Sequence, residues 1–425
     1  MQQKITNSVT ICHQYILGIT SIVKYILYTK TLFLIRTGIR YIYWHLTFLW
    51  RTFIEKYGIS YSYNQRLTHF GMEIIDLLQS DIWDKIVKSF PNYDVYYLSG
   101  YVKAFEAHGD GKPVLLYYKE SNGSRAICTL ILRDVANDVL FRDKISSNVY
   151  FDAVTPYGYG GFIFDGDVDI ENLTREFHHV LKENHVNSVF FRFHPVLENA
   201  NQNLKIANVI PLGKTIAIDL SSPEVIWENI VSKNRNVIRK AEKSGVKIHN
   251  SSESTLFKVF KEIYDETMRG DNAEDYYFFN EQFYDSIAND LEGNYEIFYA
   301  THEEKIISMA IMIFANDQMH YHLSGSLREY RSIAPSNLLL YKAALWGYEH
   351  GYKTFHLGGG IGSGEDSLYR FKAAFNRKSD YVFSIGKIIV DKKHYNELLS
   401  LRGFSIDDSN FISFFPQYRV HLSNK

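Results

Sequence analysis

At 425 residues the chain has room for about two to three domains, and 46% apolar against 22% charged residues suffices to bury a sizeable core. Aromatic content of 16% with only 8 prolines excludes a disordered or fibrous chain. Two cysteines, Cys12 and Cys128, exclude a disulfide framework or an all-cysteine zinc site and suit a reducing compartment, while a net charge of −2 argues against bulk nucleic-acid binding.

The near-neutral sum hides a basic N-terminus. Residues 1–60 hold seven lysines and arginines against one acid, Glu55, giving +6 here and −8 over the rest. The uncharged run from Ile5 to Val23 contains Thr6, Asn7, Ser8, Thr10, His13 and Gln14, and the more apolar run from Thr31 to Trp50 holds Arg36 and Arg40. Neither supplies the ~20 mainly apolar residues of a spanning helix, and no small-residue cleavage site follows. The pattern predicts an arm of basic, aromatic amphipathic helices suited to an anionic membrane surface; an arm packed on the protein's own body is the alternative.

Residues 61–220 read as a first domain. PVLLYY (113–118) and RAICTLILR (125–133), split by the turn cluster Ser121-Asn122-Gly123-Ser124, predict a hairpin. Ile170, Leu173, Phe177 and Leu181 then recur at helical spacing, and SVFFRFH (188–194) and TIAIDL (215–220) read as strands. Residues 221–390 read as a second domain. Ser221-x-x-Glu224 is a capping box with Pro223 in the first turn, and the helix it opens runs through Trp227, Ile230 and Ile238 to Gly245. Amphipathic stretches at 255–268 and 280–291 precede three β-rich runs, 295–301, 305–314 and 318–324, whose short polar connections predict an antiparallel meander. A helix from Ser336 to His350, a strand at 354–358, a short helix at 366–376 and a strand at 380–390 close it, and 391–425 is a C-terminal extension. A meander joined through a helix to a parallel strand matches the acyltransferase fold called GNAT, an analogy of element order. The fold class expected is α+β, two GNAT-like domains behind the amphipathic arm, the first read as a degenerate copy of the second.

Four stretches are candidates for chemistry. DAVTPYGYGG (152–161) combines open backbone positions with Tyr157 and Tyr159 as stacking surfaces, and Asp152 at its entrance is placed to bind an amine or take its proton; a plain hairpin turn is the alternative. In SKNRNVIRKA (232–241), Arg235 and Arg239 share a helix face and suit phosphate oxygens, or else form a solvated basic face. The connection RSIAPS (331–336) lacks the glycines of a CoA pyrophosphate loop, and Pro335 removes one N–H donor. Finally, five glycines from Gly358 to Gly364 precede FKAAF (371–375), where Lys372 beside Phe371 is placed to stabilise a carbonyl oxygen gaining charge, or else merely snorkels over core phenylalanines. Among 16 histidines, His320 and His322 share a strand face without a third metal ligand at readable spacing, so no metal site is expected.

Over about residues 90–390 the sequence resembles the FemA/FemB/FemX peptidoglycan bridge-forming family and related BioF-like GNAT acyltransferases. The markers, in shared order, are DAVTPYGYGG, RFHP (192–195), K-x-R-x-x-I-x-K-A (233–241), Tyr-x-x-Thr-Met-Arg (264–269) with Tyr276-Tyr277, YHLSGS (321–326) and FKAAF. The resemblance implies two GNAT-like domains feeding one cleft and metal-independent transfer of an amino acid from aminoacyl-tRNA to the amine of a muropeptide precursor. It further implies that Phe371-Lys372 lies near the reacting carbonyl, that Arg269 and Tyr277 bind substrate phosphate, and that Tyr321 lines the cleft. The coiled-coil tRNA arm of some members is not evident here, and residues 1–60 are not part of the family core.

The leading expectation is therefore a Fem-type aminoacyl- or acyltransferase in which Lys372 and Asp152 are catalytic and Phe371, Tyr321, Arg269, Tyr277, Tyr157, Tyr159, Arg235 and Arg239 bind substrate. No cofactor is expected. Charged tRNA would be the donor and a cell-wall precursor or nucleotide-sugar the acceptor, in the cytoplasm or peripherally on the inner face of the membrane. The alternatives are an acetyl-CoA-dependent N-acetyltransferase acting on an amino sugar of a surface polysaccharide, and a non-catalytic membrane-associated scaffold.

Overall fold

The β-rich runs and the amphipathic stretches between them assemble into two sheets in the computed structural model, which describes residues 70–404 and 414–421. The arm expected over 1–60 lies outside the described residues. In chain order the strands are β1 (Gly71–Asp76), β2 (Lys112–Lys119), β3 (Arg125–Asp134), β4 (Phe151–Val154), β5 (Ile163–Asp165), β6 (Val186–Arg192), β7 (Asn208–Lys214), β8 (Ile216–Asp219), β9 (Lys247–Ser251), β10 (Tyr295–His302), β11 (Lys305–Ala315), β12 (Gln318–Ser326), β13 (Thr354–Gly358) and β14 (Val382–Ile389).

The first sheet runs β1-β2-β3-β4-β6-β14-β7, with β5 also on β3. The expected hairpin is β2–β3, in register from Lys112 opposite Leu132 to Lys119 opposite Arg125. One edge of β3 is shared end to end: β5 pairs Arg125–Ile127 and β4 pairs Ile131–Asp134, so the glycine-tyrosine segment between β4 and β5 is carried out of the sheet. The helix Ile170–Glu183 starts where the Asp169 carboxylate accepts the N–H groups of Glu171 and Asn172. It buries Leu173, Phe177 and Leu181, each contributing ~1.5–3 kcal/mol of apolar burial, and feeds β6 into the sheet parallel to β4.

The second sheet runs β8-β13-β12-β11-β10-β9. Strands β10, β11 and β12 form the expected antiparallel meander, the helix Pro335–Glu349 crosses over, and β13 returns parallel to β12. Within the described residues no helix is long and apolar enough to cross a membrane.

Two expectations need correction. The divisions at 220 and 390 cut across the strand pairing, because β8, assigned to the first domain, pairs with β13, whereas β14, assigned to the second, lies between β6 and β7. Only Thr215 separates β7 from β8, and its N–H bonds the Tyr381 carbonyl just ahead of β14, so the crossings in both directions are stitched together. The helix expected from Ser221 to Gly245 is two helices, Pro223–Asn229 and Ser232–Lys243, and the capping oxygen is that of Ser222, accepting from Val225 N–H. Ile230 between them is extended, at φ −66° and ψ 131°, and the freed Val231 N–H bonds the Ala374 carbonyl.

The largest apolar core joins both sheets, packing Tyr96, Tyr101 and Phe105 with Phe279, Phe283 and Leu323. The C-terminal extension folds onto the first sheet, where Tyr395, Leu398, Phe415 and Tyr418 pack with Phe141.

Candidate active site

Strands β12 and β13 stay paired for three residues only, Gln318 opposite Thr354, Met319 opposite Phe355 and His320 opposite His356. Beyond that rung β13 leaves β12, and the opening so made lies where β13 runs into the glycine lip, against which Lys372 of the FKAAF helix is held. Gly358 sits at φ +79°, and a Cβ there would lie 3.3 Å from Lys372 Nζ and 3.7 Å from the Tyr159 hydroxyl, so glycine is what lets both side chains reach the opening. Lys372 Nζ donates to the Gly359 carbonyl at 2.8 Å. Burial pulls its pKa down to about 8, with the Asp366 carboxylate opposing the shift. Asp366 also builds the lip: one carboxylate oxygen accepts from Tyr369 N–H at 2.8 Å, starting the helix Ser367–Ala373, and the other from Ile361 N–H at 3.1 Å.

On one face of the second sheet, Phe371 packs edge-to-face on buried Phe375 at 5.6 Å, and Tyr321 donates to Ser324 Oγ at 2.6 Å. Both are partly buried and pack against the core that includes Leu338, Leu339 and Leu340 of the Pro335–Glu349 helix. The opposite face carries a polar cluster that the sequence reading missed. Asp94 is fully buried; its Oδ2 lies 2.8 Å from His320 Nε2 and 3.3 Å from His194 Nε2, and its Oδ1 accepts from Tyr96 N–H at 3.4 Å. Burial alone would raise this carboxyl's pKa, yet the two imidazoles hold it well below the usual carboxylate range. His356 joins the cluster, its ring 5.7 Å from His320 and 5.2 Å from Tyr159. Burial pushes the pKa of His356 down, with His320, His194 and Lys372 adding to the effect. Asp94, His194 and His320 present ligand-type atoms within 4.8 Å of one another, so the partners of His320 come from the turn before Tyr96 and from the segment after β6, not from its strand neighbour His322.

The RFHP and glycine-tyrosine segments are locked to each other beneath this cluster. Buried Asn199 accepts from His194 N–H at 2.8 Å and donates to the Gly160 carbonyl at 2.8 Å. Gly158 is required by packing: a Cβ there would lie 2.4 Å from the Tyr96 ring. Tyr157 accepts through its carbonyl from Tyr101 Oη at 2.5 Å, and its ring lies 6.2 Å from Tyr277. Burial, with a smaller contribution from Tyr277, pushes the Tyr157 hydroxyl pKa up to about 12. Arg192 donates to the Thr155 carbonyl at 3.4 Å and lies over Phe190. It lines a cavity of about 300 Å³ with Arg133, Phe190 and Phe383, and the Phe383 ring is 5.8 Å from Tyr159.

Of the expected site residues, then, Lys372 and Tyr159 meet at the opening, Phe371 and Tyr321 back it, and Tyr157 and Tyr277 lie together in the aromatic wall. The others serve differently. Asp152 is not a free base: Arg133 Nε at 2.6 Å, Arg419 Nε and the Tyr418 hydroxyl at 3.1 Å occupy a carboxylate whose side chain is 1% exposed. Burial would raise its pKa, and the two guanidiniums hold it below the ordinary value. Arg235 is not open to phosphate, because its guanidinium covers the carbonyls of Trp227, Glu228 and Ile230, at 3.3, 3.4 and 3.1 Å, at the end of the preceding helix. Arg239 lies over the Trp227 ring at 5.0 Å and donates to Asn236. Arg269 is exposed on the last turn of its helix, 3.9 Å from Asp265. At the would-be CoA loop, Ala334 takes φ +53° and Pro335 opens the helix.

Residues 232–373 match the Acetyltransferase (GNAT) domain family. No curated protein matches the chain. Among solved structures the chain is similar to FemX, with a TM-score of 0.56 and 17% identity over 76% of this chain and 98% of that one. It is also similar to a conserved protein of unknown function from Bacteroides thetaiotaomicron, with a TM-score of 0.50 and 10% identity over 75% of this chain and 100% of that one. At these identities the likeness is one of fold.

Proposed function

For a chain that carries a GNAT domain within a FemX-like fold, we propose that the reaction is transfer of an aminoacyl or acyl group to the amine of a peptidoglycan precursor. The observation that supports this most is Lys372, a part-buried ammonium held at the glycine lip where two parallel strands separate. In this reading the donor carbonyl lies against the lip, and a neutral amine attacks its carbon. Lys372 stabilises the oxyanion, and the leaving group departs as the carbonyl re-forms. Phe371 and Tyr321 stiffen the wall behind Lys372, Tyr157, Tyr159 and Tyr277 present hydroxyls and ring faces to the acceptor, and exposed Arg269 is free to meet a phosphate-bearing substrate. Residues 1–60 would bring the protein to an anionic, lipid-rich surface where such precursors reside.

Charged tRNA is the donor favoured here. The alternative, acetyl-CoA with an amino-sugar acceptor, has to do without the donor N–H that Pro335 lacks and with a left-handed alanine in place of a glycine. The test is mass spectrometry of a UDP-linked muropeptide incubated with the full chain and either alanyl-tRNA or acetyl-CoA, for wild type and Lys372→Met. The expected result is a mass increase with alanyl-tRNA that falls by ~10²–10³-fold in the variant. A product with acetyl-CoA alone would move the assignment to the alternative, and equal turnover by Lys372→Met would remove the lysine from the chemistry.

A further inference from the structure

Asp94 is a buried carboxylate that, among the described residues, neither lysine nor arginine neutralises; its ionic neighbours there are the two imidazoles of His194 and His320. Hydrogen bonding assigns their tautomers. The Leu197 N–H donates to His194 Nδ1 at 3.2 Å, so Nδ1 is the acceptor nitrogen and the ring proton sits on Nε2, toward Asp94. That proton also denies a metal ion the Nε2 lone pair that this three-residue cluster would need. His320 likewise turns Nε2 to Asp94, which leaves its Nδ1 a bare acceptor, buried and without a partner. His356 Nε2 and His194 Nε2 are likewise buried and without a hydrogen-bond partner, the latter 3.3 Å from Asp94 Oδ2. His320 and His356 stand opposite each other on the last rung before β12 and β13 separate. The array lies beside Lys372 and Tyr159.

Resting on the acyl-transfer reading above, we propose that His356, backed by the Asp94–His320 dyad, takes the proton of the attacking amine. The amine nitrogen bonds to the carbonyl carbon, and its N–H proton moves to a ring nitrogen of His356. The electron pair of the cleaved acyl bond then leaves on the donor oxygen, which takes the proton back from the imidazolium. Asp94 and His320 are positioning residues: the carboxylate steadies the imidazolium through His320, and His194 shares the carboxylate's load. The groups facing His356 are Asp94, His194 from the end of β6, His320 from β12, Tyr159 from the glycine-tyrosine segment and Lys372 from the short helix. Burial keeps His194 and His356 neutral near pH 7, the form in which an imidazole accepts a proton.

Nitrogen-15 NMR of histidine-labelled protein tests the array without substrate. The expected spectrum has His194 and His320 as Nε2–H tautomers and a His356 signal whose titration moves to lower pH in Asp94→Asn, which removes the charge favouring the imidazolium. Should Asp94→Asn not fold, His320→Gln removes a group that depresses His356 and should move the signal the other way, to higher pH. With alanyl-tRNA and UDP-linked muropeptide, His356→Gln should lower kcat by ~10²–10³-fold at unchanged donor KM and abolish the acid limb of the pH profile. A Nδ1–H tautomer at His194, stoichiometric metal in the purified chain, or a His356 titration indifferent to both variants would overturn the dyad. An active His356→Gln with its acid limb intact would overturn the base assignment alone. A wild type with the expected spectrum and no turnover with either donor would instead refute the acyl-transfer reading, and with it the base role.

Discussion

Replacing Asp152 by asparagine separates a structural carboxylate from a catalytic one. The side chain is 1% exposed and accepts from Arg133, Arg419 and Tyr418, so the amide would present two hydrogens where three donors already converge. Removing one partner of a buried ion pair costs about 3–5 kcal/mol. The lower end applies, because Arg419 keeps Asp138 at 2.8 Å and Arg133 is partly solvated. Urea unfolding should therefore show a loss of about 3 kcal/mol, with a shallow decline in any acyl transfer that tracks the unfolded fraction. The pH dependence carries the same sign. The folded pKa of Asp152 lies below its ordinary value, so its contribution is present above about pH 4 and is lost as pH falls through the folded value. An Asp152→Asn protein as stable as wild type but without turnover would refute this and restore the carboxylate to the chemistry.

Four further outcomes are expected. Acyl transfer should decline as pH rises through about 8, where Lys372 loses its proton, and Lys372→Arg should move that limb upward if it retains any rate. The fold disfavours the ammonium, a cost present in full below pH 8 and relieved as pH rises toward 10.5, so Lys372→Met should raise stability, by on the order of 1 kcal/mol in chemical denaturation at pH 7. Gly358→Ala meets a positive φ and the Lys372 ammonium at 3.3 Å; a loss of ~1 kcal/mol and a kcat deficit larger than any change in KM should follow in steady-state assays. Arg235→Ala exposes three carbonyls at a helix end and should cost ~1–2 kcal/mol by thermal melting, with KM for the phosphate-bearing substrate unchanged.

The sequence made local structure readable wherever periodicity and punctuation agree. The β2–β3 hairpin, the 170–183 helix and the β10–β12 meander with its parallel β13 all follow from alternation, caps and short polar turns. The break at Ile230 escaped notice because neither glycine nor proline marks it; the support comes from Arg235 and from the Ala374 carbonyl, far along the chain. The role of Asp152 depends on Arg419, 267 residues away, and that of His320 on Asp94, 226 residues away. Only tertiary contact reveals such pairings, since a lone buried histidine and a turn aspartate look the same in sequence whether or not they meet.

The exchange of strands between the sheets also bears on how the protein is made. Among the described residues β7 lies at the end of its sheet and β14 is its one neighbour, so after residue 214 leaves the ribosome that strand waits through more than 160 further residues for that partner. At ~5–20 residues per second this is a delay of about 8 to 34 seconds, during which β6 presents an open edge to other nascent chains. Recombinant fragments that stop before Val382 would carry that edge permanently, and should be recovered as aggregates even though the GNAT-matching segment is whole.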